Sequence, residues 1–128
     1  MKLLLDTHSV IWWMDQDDLL SRKAHEAISE PENALFISAA SVREIGIKVG
    51  LGKLELSMDY NEWMTTSLEN LQASLLPVTV EYAARQSTLP FHHQDPFDRM
   101  IVAQAQVENL TVVSRDEALD PYGINRTW

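Results

Sequence analysis

The sequence predicts an α/β fold in three layers: a central, mostly parallel, twisted sheet of four to five short strands with helices on both faces. Three observations carry this. Lys2–Asp6, Ala34–Ser38 and Leu110–Ser114 are short apolar runs of strand length. Each is followed by a segment with helical spacing or by a short helical turn. The chain has 128 residues, 45% of them hydrophobic, and no linker, repeat or low-complexity tract, so it reads as one domain over 1–128 with a full core.

The elements follow in order. After the first strand, Val10, Trp13 and Met14 share one side of a helix that starts at Thr7. An acidic turn follows at Asp15–Asp18, and Ser21 caps a helix carrying Ala24, Ala27 and Ile28 until Glu30-Pro31 stops it. Beyond the second strand, Val42, Ile45 and Val49 form the inward stripe of a helix that Gly50 and Gly52 end. Asp59 opens an amphipathic helix with Tyr60, Trp63, Met64, Leu68 and Leu71 on one face. Leu75–Thr79 is a short strand interrupted by Pro77, and Thr79 caps a helix over Val80–Ser87. A loop over Thr88–Gln94 leads to Asp95-Pro96, an N-cap followed by a proline suited to the first helical position. The helix they begin is apolar on nearly all sides, through Met100, Ile101, Val102, Ala103, Ala105 and Val107, and must be buried on both flanks. After the strand at Leu110–Ser114, Asp116 starts a helical turn and Tyr122–Trp128 adds an edge strand.

Bulk properties exclude several classes. The chain contains no cysteine, so disulfides, thiolate metal sites and a cysteine nucleophile are absent, which suits a reducing cytosol. Its first residues reach Asp6 after three leucines, too soon for a signal peptide, and Val10–Met14 is too short to span a bilayer. The expectation is a cytoplasmic domain without a membrane partner. The net charge of −9 opposes general nucleic-acid binding, so any polyanion must meet a local basic rim, for which Arg43, Lys48, Arg99 and Arg115 are the candidates.

Four acids stand where the strands end. Ligands of such sheets gather at the carboxyl edge. Asp6 closes the first strand, Glu44 follows Ser38 by one and a half helical turns, Asp98 lies in the first turn of the buried helix, and Asp116 is two residues past Ser114. Each also has a plain structural reading. Asp6 and Asp116 suit N-caps, Ser41-Val42-Arg43-Glu44 fits a capping box, and Asp98 stands in the same relation to Asp95. Convergence, however, is something caps do not need. Four carboxylates at one edge repel unless a cation neutralises them, and oxygen-only ligation selects a hard divalent ion, Mg²⁺ or Mn²⁺.

In their order, Asp6-Thr7-His8 after a strand, Ile37-Ser38 through Glu44-Ile45, Asp98 to Ala105, and Val113-Ser114-Arg115-Asp116 resemble the successive motifs of the PIN domain. Lys48–Leu54 and Asp95–Arg99 are similar to a VapC-type branch, ribonucleases paired with an antitoxin. The resemblance implies a Mg²⁺- or Mn²⁺-dependent endoribonuclease toxin that hydrolyses RNA and is held inactive by a cognate antitoxin. It implies Asp6, Glu44 and Asp98 as core ligands, Asp116 acting through water or a second metal, and Thr7 and Ser114 as polar neighbours that orient waters or carboxylates. Asp95 stays an N-cap, and Arg99 reads either as a phosphate contact or as an ordinary ion pair.

Other signals are weaker. Gly46–Lys53 fails the phosphate-loop pattern at Leu51 and Leu54, and its glycines end a helix instead of starting one. His92-His93 lacks zinc-helix spacing and reads as solvent-facing or in contact with substrate. Adjacent Trp12 and Trp13 cannot both face inward, so one is expected near the surface, at a homodimer interface or antitoxin groove. Two alternatives share the same residues: a PIN-like scaffold that binds without cutting, and a small-molecule phosphohydrolase.

Overall fold

A computed structural model describes residues 1–128. It contains a single sheet of five strands in the order β3-β2-β1-β4-β5, every neighbouring pair parallel. The strands are β1 (Lys2–Leu5), β2 (Ala34–Ser38), β3 (Ser74–Leu76), β4 (Thr111–Val113) and β5 (Arg126–Thr127). The helices are α1 (Thr7–Asp15), α2 (Arg22–Ser29), α3 (Ala39–Gly50), α4 (Tyr60–Leu71), α5 (Val80–Ser87) and α6 (Pro96–Glu108), with single 3-10 turns at Asp17–Leu19 and Glu117–Tyr122.

β1 is central because it is apolar on both faces. Leu3, Leu4 and Leu5 are fully buried, and side chains alternate across a strand, so they feed different cores. Leu3 and Leu5 join Leu35, Ile37 and Val113 under α1, α2 and α4, while Leu4 joins Val112 under α6. The register places Leu5 between Ile37 and Val113, so β1, β2 and β4 end at the same edge. Residues Arg99 to Ala105 of α6 are all buried, as its apolar circumference requires.

Boundaries differ from expectation where backbone chemistry intervenes. β3 ends at Leu76 and does not reach Thr79, because Pro77 has no N–H to give the ladder. The expected capping box at Ser41–Glu44 does not form. The helix starts directly off β2, Ser38 Oγ accepts the Ala40 N–H at 3.0 Å, and Ser41 and Glu44 are buried inside the helix. Asp59 occupies the N-cap position of α4 without a side-chain capping bond. Ser21, Thr79 and Asp95 cap their helices as expected.

A polar brace ties the α1 end to α4. Trp63 is fully buried, and its indole N–H donates to both oxygens of Asp15, at 3.0 and 3.1 Å. Asp15 also accepts from Ser57 Oγ at 2.6 Å and from the Ser57 N–H. Of the adjacent tryptophans, Trp12 packs near Trp128 at 9% exposure and Trp13 is the outer one, bonded through its indole N–H to Asn70 Oδ1. No helix is long and apolar enough to cross a membrane.

Candidate active site at the carboxyl edge of the sheet

Asp6 leaves β1 with its amide still bonded to Val113 O at 3.1 Å, and its Oδ1 accepts the Ser9 N–H at 2.9 Å. The residue is 5% exposed. Burial pushes its pKa up, opposed by hydrogen bonds from Ser114 and Ser9 and by the charge of His8. Ser114, fully buried at the end of β4, also accepts the Asp116 N–H at 3.0 Å and so joins the two acids.

Asp98 sits in the first turn of α6, where Asp95 Oδ1 accepts both the Phe97 and the Asp98 N–H. Its pKa is pushed up to about 7, first by desolvation, then by the charge of Asp95, with Glu44 and Asp6 adding to it. Neighbouring negative charges from α3 and from the β1 end therefore act on one carboxyl group. Asp116 caps the following 3-10 turn through Oδ1, which accepts the Ala118 N–H at 3.0 Å, and turns Oδ2 towards His93 Nε2 at 2.9 Å.

A cleft of about 430 Å³ opens here, lined by Asp6, His8, Trp12, Asp98, Arg115, Asp116 and Glu117. Glu44 does not line it. This residue is buried, with Oε1 accepting from Thr7 Oγ1 at 2.7 Å and Oε2 from Lys48 Nζ at 2.6 Å. Ser41 Oγ is 2.9 Å from the same threonine hydroxyl. Three of the expected acids thus meet in the cleft, and the fourth is buried outside its lining, held by a threonine and a lysine.

The four basic candidates separate. Arg115 is exposed, lines the cleft and lies over the Trp12 ring at 4.7 Å. Arg43 is exposed on α3. Lys48, expected at the rim as a polyanion contact, is paired with Glu44. Arg99 departs furthest from expectation, for it is buried and its guanidinium faces main-chain carbonyls instead of an acid. Its guanidinium donates to the carbonyls of Pro90, Leu89 and Gln86 at 2.9 to 3.2 Å and to the Tyr122 hydroxyl at 3.3 Å, with the Phe91 ring 4.0 Å away. A planar fork with five donors can satisfy several carbonyls at once, so Arg99 anchors the loop before α6.

That loop delivers a residue that sequence reasoning passed over. His93 Nε2 lies 2.9 Å from Asp116 Oδ2 and 3.3 Å from Asp98 Oδ2, and each of the three residues offers an atom within 4.8 Å of the others. The usable signal was its place two residues before the N-cap Asp95, whose N–H donates to His93 Nδ1 at 3.1 Å. The sequence reading of His93 as solvent-facing or in contact with substrate did not place it beside Asp98 and Asp116.

The donor set suits a hard divalent cation: carboxylates of Asp6, Asp98 and Asp116 face one cleft, two of them with raised pKa values, and Glu44 adds its charge from outside the lining. Known proteins share the fold that carries this cleft. Ribonuclease VapC22 of Mycobacterium tuberculosis is 29% identical over 118 residues, covering 91% of this chain and 88% of that protein. The solved VapBC2 of Rickettsia felis, bound to a promoter DNA fragment, contains a chain that superposes with a TM-score of 0.74 at 13% identity, over 98% of this chain and 97% of that one. VapBC-1 of nontypeable Haemophilus influenzae gives 0.68 at 17% identity, over 98% and 96%. The PIN domain family model matches residues 3–124, and the chain belongs to that family.

Proposed function

We propose that this protein is a metal-dependent endoribonuclease, the toxin of a toxin-antitoxin pair, working at the carboxyl edge of its sheet through Mg²⁺ or Mn²⁺. The observation that carries the reading is the meeting of Asp6, Asp98 and Asp116 in one cleft, with Asp98 raised to about 7 by burial, by its neighbour Asp95 and by the acids Glu44 and Asp6 on other elements. RNA as substrate is supported by the similarity to a protein named as a ribonuclease, and an antitoxin partner by the likeness to chains solved in VapBC complexes.

Asp6 and Asp98 would hold the ion, with Glu44 contributing charge from outside the lining. Asp116 has both oxygens engaged by Ala118 and His93, which favours an indirect role through water. Thr7 aims Glu44, and Ser114 aims Asp6 and joins it to Asp116. When bound, the ion supplies an activated water and screens the phosphate charge. Arg115 stands at the mouth, where its exposed guanidinium can meet a backbone phosphate, and Arg43 is a second candidate contact.

Incubating the protein with structured RNA and Mg²⁺ tests this directly. Asp98→Asn is expected to lower cleavage on the order of 100-fold while leaving the fold intact, since it removes charge with little change in shape. Equal cleavage by both proteins would sink the assignment. A calorimetric titration without Mn²⁺ binding would favour a binding scaffold, and turnover of phosphate monoesters but not RNA a phosphohydrolase.

A homodimer belongs to the same proposal. Leu75, Val78 and Val80, at 50%, 49% and 87% exposure, follow one another along edge strand β3 and into α5, an apolar surface suited to a second copy. A monomer in sedimentation at all accessible concentrations would remove that part.

A further inference from the structure

The three-residue constellation of His93, Asp98 and Asp116 has the look of a histidine-and-two-carboxylate metal site, but the hydrogen bonds around the imidazole assign it another task. His93 Nδ1 accepts the Asp95 main-chain N–H at 3.1 Å, so it carries no proton. The ring proton must then sit on Nε2, which faces Asp116 Oδ2 at 2.9 Å and Asp98 Oδ2 at 3.3 Å. A ring turned over would set carbon atoms against both the Asp95 N–H and the carboxylates, losing every one of these contacts. Nitrogen that bears a proton has no lone pair to give a cation.

The placement of the ring is built as carefully as its tautomer. The His93 N–H donates to the Tyr122 hydroxyl at 2.9 Å, and that hydroxyl donates to Pro90 O at 2.8 Å. Arg99, buried beneath, draws in the carbonyls of Leu89 and Pro90 on the same loop and ties them to the end of α5 through Gln86 O. Loop backbone, ring and N-cap are thereby fixed to one another; the single N–H is aimed at the acid from the β4 end, with the acid from α6 3.3 Å from the same nitrogen.

We propose that His93 is a positioning residue: its Nε2–H holds the Asp98 and Asp116 carboxylates together and orients them, and it does not ligate the metal. One oxygen of Asp98 is drawn to the imidazole, which leaves Oδ1 for the cleft. The inference rests on the reading of this cleft as a metal site, but its first test is independent of any metal. Nitrogen-15 spectra of the metal-free protein, with the His93 ring assigned by comparison with His93→Gln among the four histidines, are expected to show the Nε2–H tautomer. The Nδ1–H tautomer would overturn the proposal whatever the cleft binds.

Mn²⁺ provides the second test. His93→Leu, which keeps bulk and loses the donor, is expected to weaken Mn²⁺ binding roughly 10- to 100-fold, the usual cost of losing a residue that orients a ligand. His93→Gln places a side-chain N–H near the Nε2 position and is expected to restore most of that loss, with thermal unfolding showing both variants folded. Electron spin-echo spectra of the Mn²⁺ complex should lack a directly coordinated nitrogen. Unchanged binding by His93→Leu, equal losses in both variants, or a coordinated histidine nitrogen would each overturn the inference. If the wild type binds no Mn²⁺, the metal reading of the cleft falls and takes the orienting role with it, whatever the tautomer.

Discussion

A carboxylate has two oxygens, and Asp116 gives one to the Ala118 N–H and the other to His93. Asp6 likewise caps Ser9 while its charge reaches the site around Asp98. Cap and site residue are therefore not rival descriptions, which is why capping patterns in the sequence did not argue against the cleft. Arg99 was illegible because most of its partners are main-chain carbonyls, which carry no sequence signature, and His93 because the acids it meets, Asp98 and Asp116, sit on α6 and beyond β4. Arg99→Leu removes the donors of three carbonyls and is expected to cost about 3 kcal/mol, read as a lower thermal midpoint together with weaker Mn²⁺ binding. Asp98 carries the pH dependence. Its ordinary pKa is 3.8 and its folded value about 7, so the folded state holds this proton more tightly than the unfolded chain does. The stability it contributes is full below 3.8 and is lost as pH rises through about 7, a change on the order of a few kcal/mol. Thermal midpoints in chelator should rise between pH 7.5 and 5 more steeply for the wild type than for Asp98→Asn, and saturating Mg²⁺ should flatten the difference.

At the scale of elements, the alternation of apolar runs and helical segments was readable because buried parallel strands are continuous and helices carry caps. Element ends were less so. The sequence pattern put a capping box at Ser41, but Ser38 caps α3 because the chain turns into the helix at the last strand residue. Ser41 is instead buried beside Thr7 and Glu44. Ser38→Ala is accordingly expected to destabilise the protein by about 2 kcal/mol, at the strong end for a cap because no water can replace a fully buried hydroxyl. Chemical denaturation would show it. The same substitution at Ser41 should leave helix stability alone and loosen Glu44, visible as weaker metal binding. The carboxyl-edge rule located all four acids, yet Glu44 is buried outside the cleft lining because Lys48, one helical turn on, draws its carboxylate aside.

The whole molecule carries a net charge of −9 and must still receive a polyanion. Of four cations suspected at the rim, one is buried and one is paired with Glu44, which leaves Arg115 at the mouth and Arg43 on α3. Few phosphate contacts mean a shallow salt dependence. Arg115→Ala should weaken RNA binding across sequences and reduce the slope of log affinity against log salt by about 0.7. Binding titrations over a salt series would measure it, and an unchanged slope would place the phosphate elsewhere. The amide of Asp6 completes the ladder of the central strand through Val113 O, so one acid of the site is mounted on the part of the chain expected to open last. Asp116, on a short 3-10 turn, is mounted on a part expected to open early. Hydrogen exchange should divide the cleft accordingly: a divalent ion would slow exchange around residues 93–98 and 114–118, while the Asp6 amide, already exchanging only through global unfolding, would report the gain in total stability instead.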